Sequence, residues 1–380
     1  MPNLLRLPAL ALAAVLTACS QTGGTATPVS VSETKVKLEP LVAAEQAWGL
    51  AFLSDGALLF TEKEGGLKYV VPGTGVDPKP VSGLPPALTE GQAGYLGLAL
   101  DPDFEDNRLV YVALSSGTSA ANATAVVRGR LSDDNSALEA VEEIFRGKTR
   151  DTAYHYGSRL AFANDGTLFV TVGEAFKYKE LAQNPKDVLG KIVRINPDGS
   201  IPADNPFADG VAGDPAVWSY GHRNPQGLYY DTVSGTLWET EHGPKGGDEL
   251  NIITRGTNYG WPAITYGVDY DGTIISDKTE AEGMAQPETF WVPSIAPSGL
   301  TMLNSDVYPG WRGDLFAGGM NGPAGLVLVR IDLDGGKVIG KEDLLRADGM
   351  AIRDVVQGPD GYLYVATKDF DGIFKVVVVE

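Results

Sequence analysis

Leu160-Ala161-Phe162-Ala163-Asn164-Asp165-Gly166-Thr167-Leu168-Phe169-Val170 reads as two short apolar runs around an Asp-Gly turn. Gly supplies the positive φ that a tight hairpin turn demands, and Asp tolerates it, so the stretch predicts a β-hairpin. The same device recurs at residues 50–60 around Asp55-Gly56, and at 98–112 around Asp103 and Asn107. It returns at 227–239, 299–316 and 355–365, the last around Asp360-Gly361. The copies stand roughly 45–80 residues apart, a period that suits propeller blades carrying inserted loops. Six copies predict an all-β chain folded as a six-bladed β-propeller. A two-sheet sandwich is the alternative, but it requires no recurrence along the whole chain.

Composition agrees with many turns and short strands: 47 Gly and 24 Pro among 380 residues, with no collagen period. Apolar residues make up 43%, enough to bury a core. Thirty Lys or Arg against 49 Asp or Glu leave a net charge of −19, which excludes a phosphate-backbone binder, so no nucleic-acid partner is expected. One short helix is expected near residues 279–285.

Residues 1–19 read as a lipoprotein signal peptide. Their apolar stretch 7–16 is too short to span a bilayer as a helix. It ends in Leu16-Thr17-Ala18-Cys19, which resembles a lipobox and contains the only cysteine of the chain. The expectation is export and lipid anchoring to the cell envelope, periplasmic or outer-surface, with membrane contact only through Cys19. An export signal that merely contains Cys is the alternative. Residues 20–37 read as a flexible linker, and 38–380 as the propeller domain.

The chemistry must lie where polar residues interrupt the strands. All three histidines do so, each in a Gly-rich junction: Tyr154-His155-Tyr156-Gly157, Gly221-His222-Arg223-Asn224 and Glu241-His242-Gly243-Pro244. Three such junctions leading into successive blades predict that the imidazoles surround one cavity. None of the spacings is a helical zinc motif.

At these junctions the chain resembles the soluble PQQ-dependent sugar dehydrogenases, the glucose/sorbosone dehydrogenase family, and especially its aldose sugar dehydrogenase branch. The likeness runs in order from about Trp48 to the C-terminus. It includes Gly91-Gln92-Ala93-Gly94-Tyr95-Leu96-Gly97, Leu189-Gly190-Lys191-Ile192, Asn258-Tyr259-Gly260-Trp261-Pro262 and Ile352-Arg353-Asp354. The resemblance implies hydride transfer from C1 of an aldose to the C5 carbonyl of PQQ, giving a lactone, with Ca²⁺ beside the quinone and an external electron acceptor.

The resemblance also implies roles for particular residues. His155 would be the base and Glu174, where Asp is usual, its orienting carboxylate. Arg223 would stabilise charge on the quinone oxygen, while Gln92, Asn224 and Arg353 would bind the cofactor. Gly243 and Pro244 would give carbonyls to Ca²⁺, supported by Asp248, and Glu249 with the Tyr259 carbonyl would hold a second Ca²⁺. Asn321 falls where the family has a cofactor-binding lysine, and Ala351 where the glucose-dehydrogenase branch has an arginine. Losing a cation beside a trianion weakens binding by about 1–3 kcal/mol per charged hydrogen bond. Lys245 and Arg159 are the candidates to compensate. Residues 268–283 contain no recognisable sugar contact. Two other classes stay open on the residues alone: a calcium-dependent lactonase-type hydrolase and a non-catalytic binding propeller.

Overall fold

The computed structural model describes residues 27–368 and 372–379. Among them, 24 strands form six four-stranded antiparallel sheets arranged as propeller blades. The blades follow the chain at 47–81, 95–146, 160–220, 225–291 and 297–344, and the sixth is built from 352–378 with an added N-terminal strand. The innermost strands touch one another in order, and the ring closes between the first and sixth blades. All six hairpins expected from the sequence are the inner hairpins of the blades.

The added strand is Val36–Ala43, which pairs antiparallel with Gly372–Val378 from the opposite end of the chain. This bears on the linker expected over 20–37, whose described part is no free tether. Val29 bridges Lys341, Ser30 Oγ donates to Asp332 at 2.8 Å, and the Ser32 N–H donates to Glu342 at 3.1 Å. Short hydroxyl-bearing residues find acceptors along the fifth blade, so the segment lies against it. The signal peptide expected at 1–19 lies outside the described residues.

The strands are not uniformly alternating. Leu58–Glu62, Leu168–Val172, Leu315–Gly319 and Leu363–Thr367 are buried at every position. Each is the second strand of its blade, covered on both faces by neighbouring blades, so no side chain can be left to water. Alternation survives only toward the rim, as in Lys337–Leu344. The helix expected near 279–285 is absent: Gly283 turns at φ +78°, and Met284 bridges Asn258 instead.

Five of the six innermost strands carry a register shift within their first residues. Such bulges re-aim side chains at strand ends. The innermost strands all run the same way, so their N-terminal ends gather in one mouth of the central channel.

Below that mouth the channel is closed by Arg159. Its guanidinium pairs with Asp354 at 2.8 Å and donates to the carbonyls of Gln226 (2.6 Å) and Arg353 (2.8 Å). It also stacks 4.2 Å over Trp48. Asp354 in turn accepts the Leu50 N–H at 2.9 Å. Burial outweighs their mutual attraction, pushing the Asp354 carboxyl up and the Arg159 guanidinium down from their ordinary values. Removing one partner therefore strands a desolvated charge. Asp354→Ala is expected to lower unfolding stability by about 3–5 kcal/mol in urea titration; a loss below about 1 kcal/mol would show that the pair is dispensable.

Candidate active site

The site is built on a backbone that only a few residues permit. His155 (φ +51°), Gly157 (φ +63°) and Ser158 (φ +76°) are all left-handed, which shortens the innermost strand of the third blade to Leu160–Phe162. The segment lies flat on the next strand because residue 173 is glycine. A Cβ there would stand 2.2 Å from the His155 carbonyl oxygen. Side chains from neighbouring blades hold this costly conformation. Gln92 accepts the His155 N–H at 2.8 Å, and Asn224 accepts that of Gly157 at 3.1 Å.

The His155 side chain is 5% exposed. Its Nδ1 lies 3.0 Å from Glu174 Oε1, which fixes the tautomer with the proton on Nδ1. Nε2 has no hydrogen bond among the described residues, and it is not among the sealed polar atoms. It is therefore free to accept a proton. The longer reach of Glu does not spoil the geometry, because the Glu174 N–H is pinned to the Arg223 carbonyl at 2.9 Å. Phe176 packs edge-on against the imidazole at 5.2 Å. Burial first, then the nearby Arg223 charge, hold the imidazole below its ordinary value, with Glu174 opposing them.

Arg150, which sequence reasoning missed, is a buried cation close enough to influence both members of the pair. Its guanidinium stacks 4.0 Å over Tyr156 and leaves Nε and Nη1 unpaired, as Glu174 leaves Oε2. Nothing in its Lys-Thr-Arg-Asp setting marks it.

A cavity of about 340 Å³ occupies the mouth. Gln92, Asn224, Asn321 and Arg353 line it, as do His242, Gly243 and Tyr270. Arg353 is aimed by Gln226 at 2.7 Å and Ser298 at 3.3 Å. Arg223 lies beside the cavity, donating to the carbonyls of His242 (3.1 Å) and Gly243 (2.7 Å), with Nε buried and unpaired. The Gly243 carbonyl is thus already partnered, whereas that of Pro244 accepts no bond among the described residues. Asp248 anchors this loop, accepting N–H groups from Gly243 (2.8 Å), Ile295 (2.7 Å) and Ala296 (2.9 Å); burial nevertheless raises its carboxyl to about 6.

Two expectations need correcting. The three histidines do not share one cavity: His242 lines it, and neither His155 nor His222 does. His222 is held between Ser219 (2.9 Å) and Glu241 (3.1 Å), stacked 4.7 Å from Tyr259, because Glu241 also takes the Arg223 N–H and turns the imidazole away from the mouth. The stretch 268–283 is also not silent: Tyr270 reaches the cavity, and its hydroxyl lies 3.4 Å from Arg223 Nη2. Of the two suggested compensating cations, Arg159 is consumed by Asp354, and Lys245 is exposed and does not line the cavity.

Beside the mouth, His222, Glu239 and Glu241 bring ligand atoms within 4.8 Å of one another. Asn251 Nδ2 joins Glu239 (3.1 Å) to Glu249 (3.3 Å), leaving Asn251 Oδ1 and Glu239 Oε1 buried without partners. Burial and mutual repulsion push the Glu239 and Glu249 carboxyls well up. A nest of unpaired hard oxygens is a donor set that suits Ca²⁺.

The family model described as Glucose / Sorbosone dehydrogenase matches residues 44–376. The aldose sugar dehydrogenase YliI of Escherichia coli is 40% identical over 333 residues, spanning 86% of this chain and 88% of its own. The apo-form structure of the soluble aldose sugar dehydrogenase from E. coli superposes with a TM-score of 0.85 at 38% identity, covering 90% of this chain and 99% of that one. A PQQ-bound aldose sugar dehydrogenase from Streptomyces coelicolor, 29% identical, gives 0.76 and covers 93% of this chain and 100% of its own.

The electrostatics give a signed test by NMR of the imidazole. The His155 midpoint is expected below the ordinary value of about 6.5. Arg223→Gln should raise it by removing a cation, and Glu174→Gln should lower it by removing an anion. Shifts of the opposite sign would reject this arrangement.

Proposed function

The chain belongs to the glucose/sorbosone dehydrogenase family, and from that premise we propose that it oxidises aldose sugars at C1 to lactones, using PQQ and Ca²⁺. The observation that carries the reading is the His155–Glu174 pair, with Nδ1 tied and Nε2 open, next in sequence to Tyr156, which lines the mouth cavity. His155, kept neutral by burial, would take the C1 hydroxyl proton on Nε2. Glu174 would hold the imidazole and stabilise its charged form as the proton arrives. PQQ, when bound, supplies the electron-poor carbonyl carbon that takes up the hydride.

The residues of the mouth fit such a group. Arg223, with its unpaired Nε, would stabilise negative charge on the quinone oxygen. Asn224 Nδ2 and Gln92 Nε2, which make no hydrogen bond among the described residues, would donate to it, and Asn321 lines the same wall. Arg353 would meet a carboxylate. Gly243 and Pro244 would offer carbonyls to one Ca²⁺. Glu249 and the Tyr259 carbonyl, with Glu239, Glu241 and Asn251 nearby, would hold a second. A lactonase would need carboxylates around a metal in the mouth, and Glu239, Glu241 and Glu249 do not line it. We also propose that an external acceptor reoxidises the cofactor, and that the protein is exported and lipid-anchored through Cys19 in Leu16-Thr17-Ala18-Cys19.

Protein loaded with PQQ and Ca²⁺ should reduce a dye in the presence of aldoses, and failure with a broad sugar panel would overturn the reading. His155→Ala should lower kcat/KM by about 10²–10⁴-fold with PQQ still bound; loss of PQQ binding would instead reassign the residue. Ca²⁺ added without PQQ should raise Tm, and Glu249→Gln should shrink that rise. An unchanged Tm would remove the second cation site. Detergent partitioning that is lost in Cys19→Ser would support the anchor.

A further inference from the structure

The residues 321 and 351 offer no charge to a polyanion: one is Asn and the other a fully buried Ala. Yet the mouth of this strongly acidic chain is lined by three cations, Lys63 from the first blade with Arg353 and Lys368 from the sixth. In a ring of six, the first and sixth blades stand across the channel from the third and fourth, which supply His155 and Arg223.

Two local features put the lysines there. The Lys368 N–H donates to the Ala351 carbonyl at 2.9 Å, so its side chain leaves the backbone beside the place where residue 351 contributes only a methyl. That side chain has no partner among the described residues. Lys63 is bound at both ends of its peptide, its N–H to Gln46 (3.2 Å) and its carbonyl to Tyr95 (2.9 Å). Its stem crosses Gly94, where a Cβ would stand 2.5 Å from Lys63 Cγ. Only glycine lets the stem pass. The ammonium group then keeps two long contacts alone, Glu64 at 3.3 Å and the Thr89 carbonyl at 3.4 Å. At 16% exposure it is partly desolvated and weakly engaged, which is the state of a cation waiting for an anion.

We infer that Lys63 and Lys368 join Arg353 as carboxylate-binding cations of this chain, and that they orient a bound PQQ with its acidic edge toward the first and sixth blades and its quinone toward His155. This rests on the proposed use of PQQ. Charge-assisted contacts of this kind are stronger than neutral ones and salt-sensitive.

The test is titration of the apoprotein with PQQ in Ca²⁺, followed by quenching of tryptophan fluorescence. Lys63→Gln and Lys368→Gln should each weaken Kd by fivefold or more and flatten its salt dependence. Lys368→Arg should stay near wild type. Lys79→Gln on an outer strand makes the same charge change away from the mouth and should leave Kd unaltered. Unfolding curves without PQQ should coincide for all variants, separating lost affinity from lost folding. Wild-type affinity in both glutamine variants overturns the inference. No binding by wild type itself would instead remove the quinone reading.

Discussion

One buried ion pair divides the central channel. Arg159 and Asp354 meet beneath the mouth, and through them four blades are joined: the third by Arg159, the sixth by Asp354, the fourth by the Gln226 carbonyl and the first by Trp48. A cavity of about 400 Å³ opens on the other side of the same pair. The pair lines that second cavity, while its partners Trp48, Gln226 and Arg353 line the mouth. Its cost in desolvation is offset by four further contacts that leave neither charge unpaired. This network also reaches the site directly, since Gln226 accepts from Arg353 on one side and donates to the Gly157 carbonyl on the other.

How much of this was legible in the sequence follows from the range of the interactions. The six inner hairpins are local: turn residues and flanking apolar runs lie within about a dozen positions, and all six were read. The closing strand Val36–Ala43 was not, because its partner lies at the other end of the chain and its own residues look like a polar approach to the domain. The full burial of second strands was missed for a related reason, since it is a property of neighbouring blades. Within the site, the loops carrying His155, Arg223 and Gly243 could be found because each breaks a strand pattern. Whether an imidazole then faces in or out could not. His222 turns away because Glu241 takes both its Nδ1–H and the next N–H, a pairing between strands that spacing does not encode. Tyr270 and Arg150 reach their positions from segments without a pattern.

The charge balance works on two scales. Over the whole chain acidic residues dominate, yet around the mouth burial first, and then nearby cations (Arg223 and Arg150 for His155, Arg353 and Arg223 for His242), hold both imidazoles below their ordinary value. A base that is already neutral needs no prior loss of a proton, and a carboxylate behind it answers the charge it acquires. The acidic cluster around Glu239 adjoins this cationic field: Glu241 accepts the Arg223 N–H, and Glu241 and Glu249 line one small pocket with Arg223 and His242. Two opposite electrostatic environments thus lie side by side on the fourth blade, each with a buried polar atom left unpaired: Arg223 Nε in one, Glu239 Oε1 in the other.

The strand Val36–Ala43 gives the toroid a single seam. Every other sheet is stitched from consecutive chain, but the sixth is finished only when the beginning of the polypeptide zips onto its end. Until that happens, Gly372–Val378 is a raw border able to recruit any extended segment, including the equivalent strand of another molecule. The clasp joins two segments from opposite ends of the described fold, so a pull transmitted to Val36–Ala43 would bear directly on the strand that completes the sixth sheet.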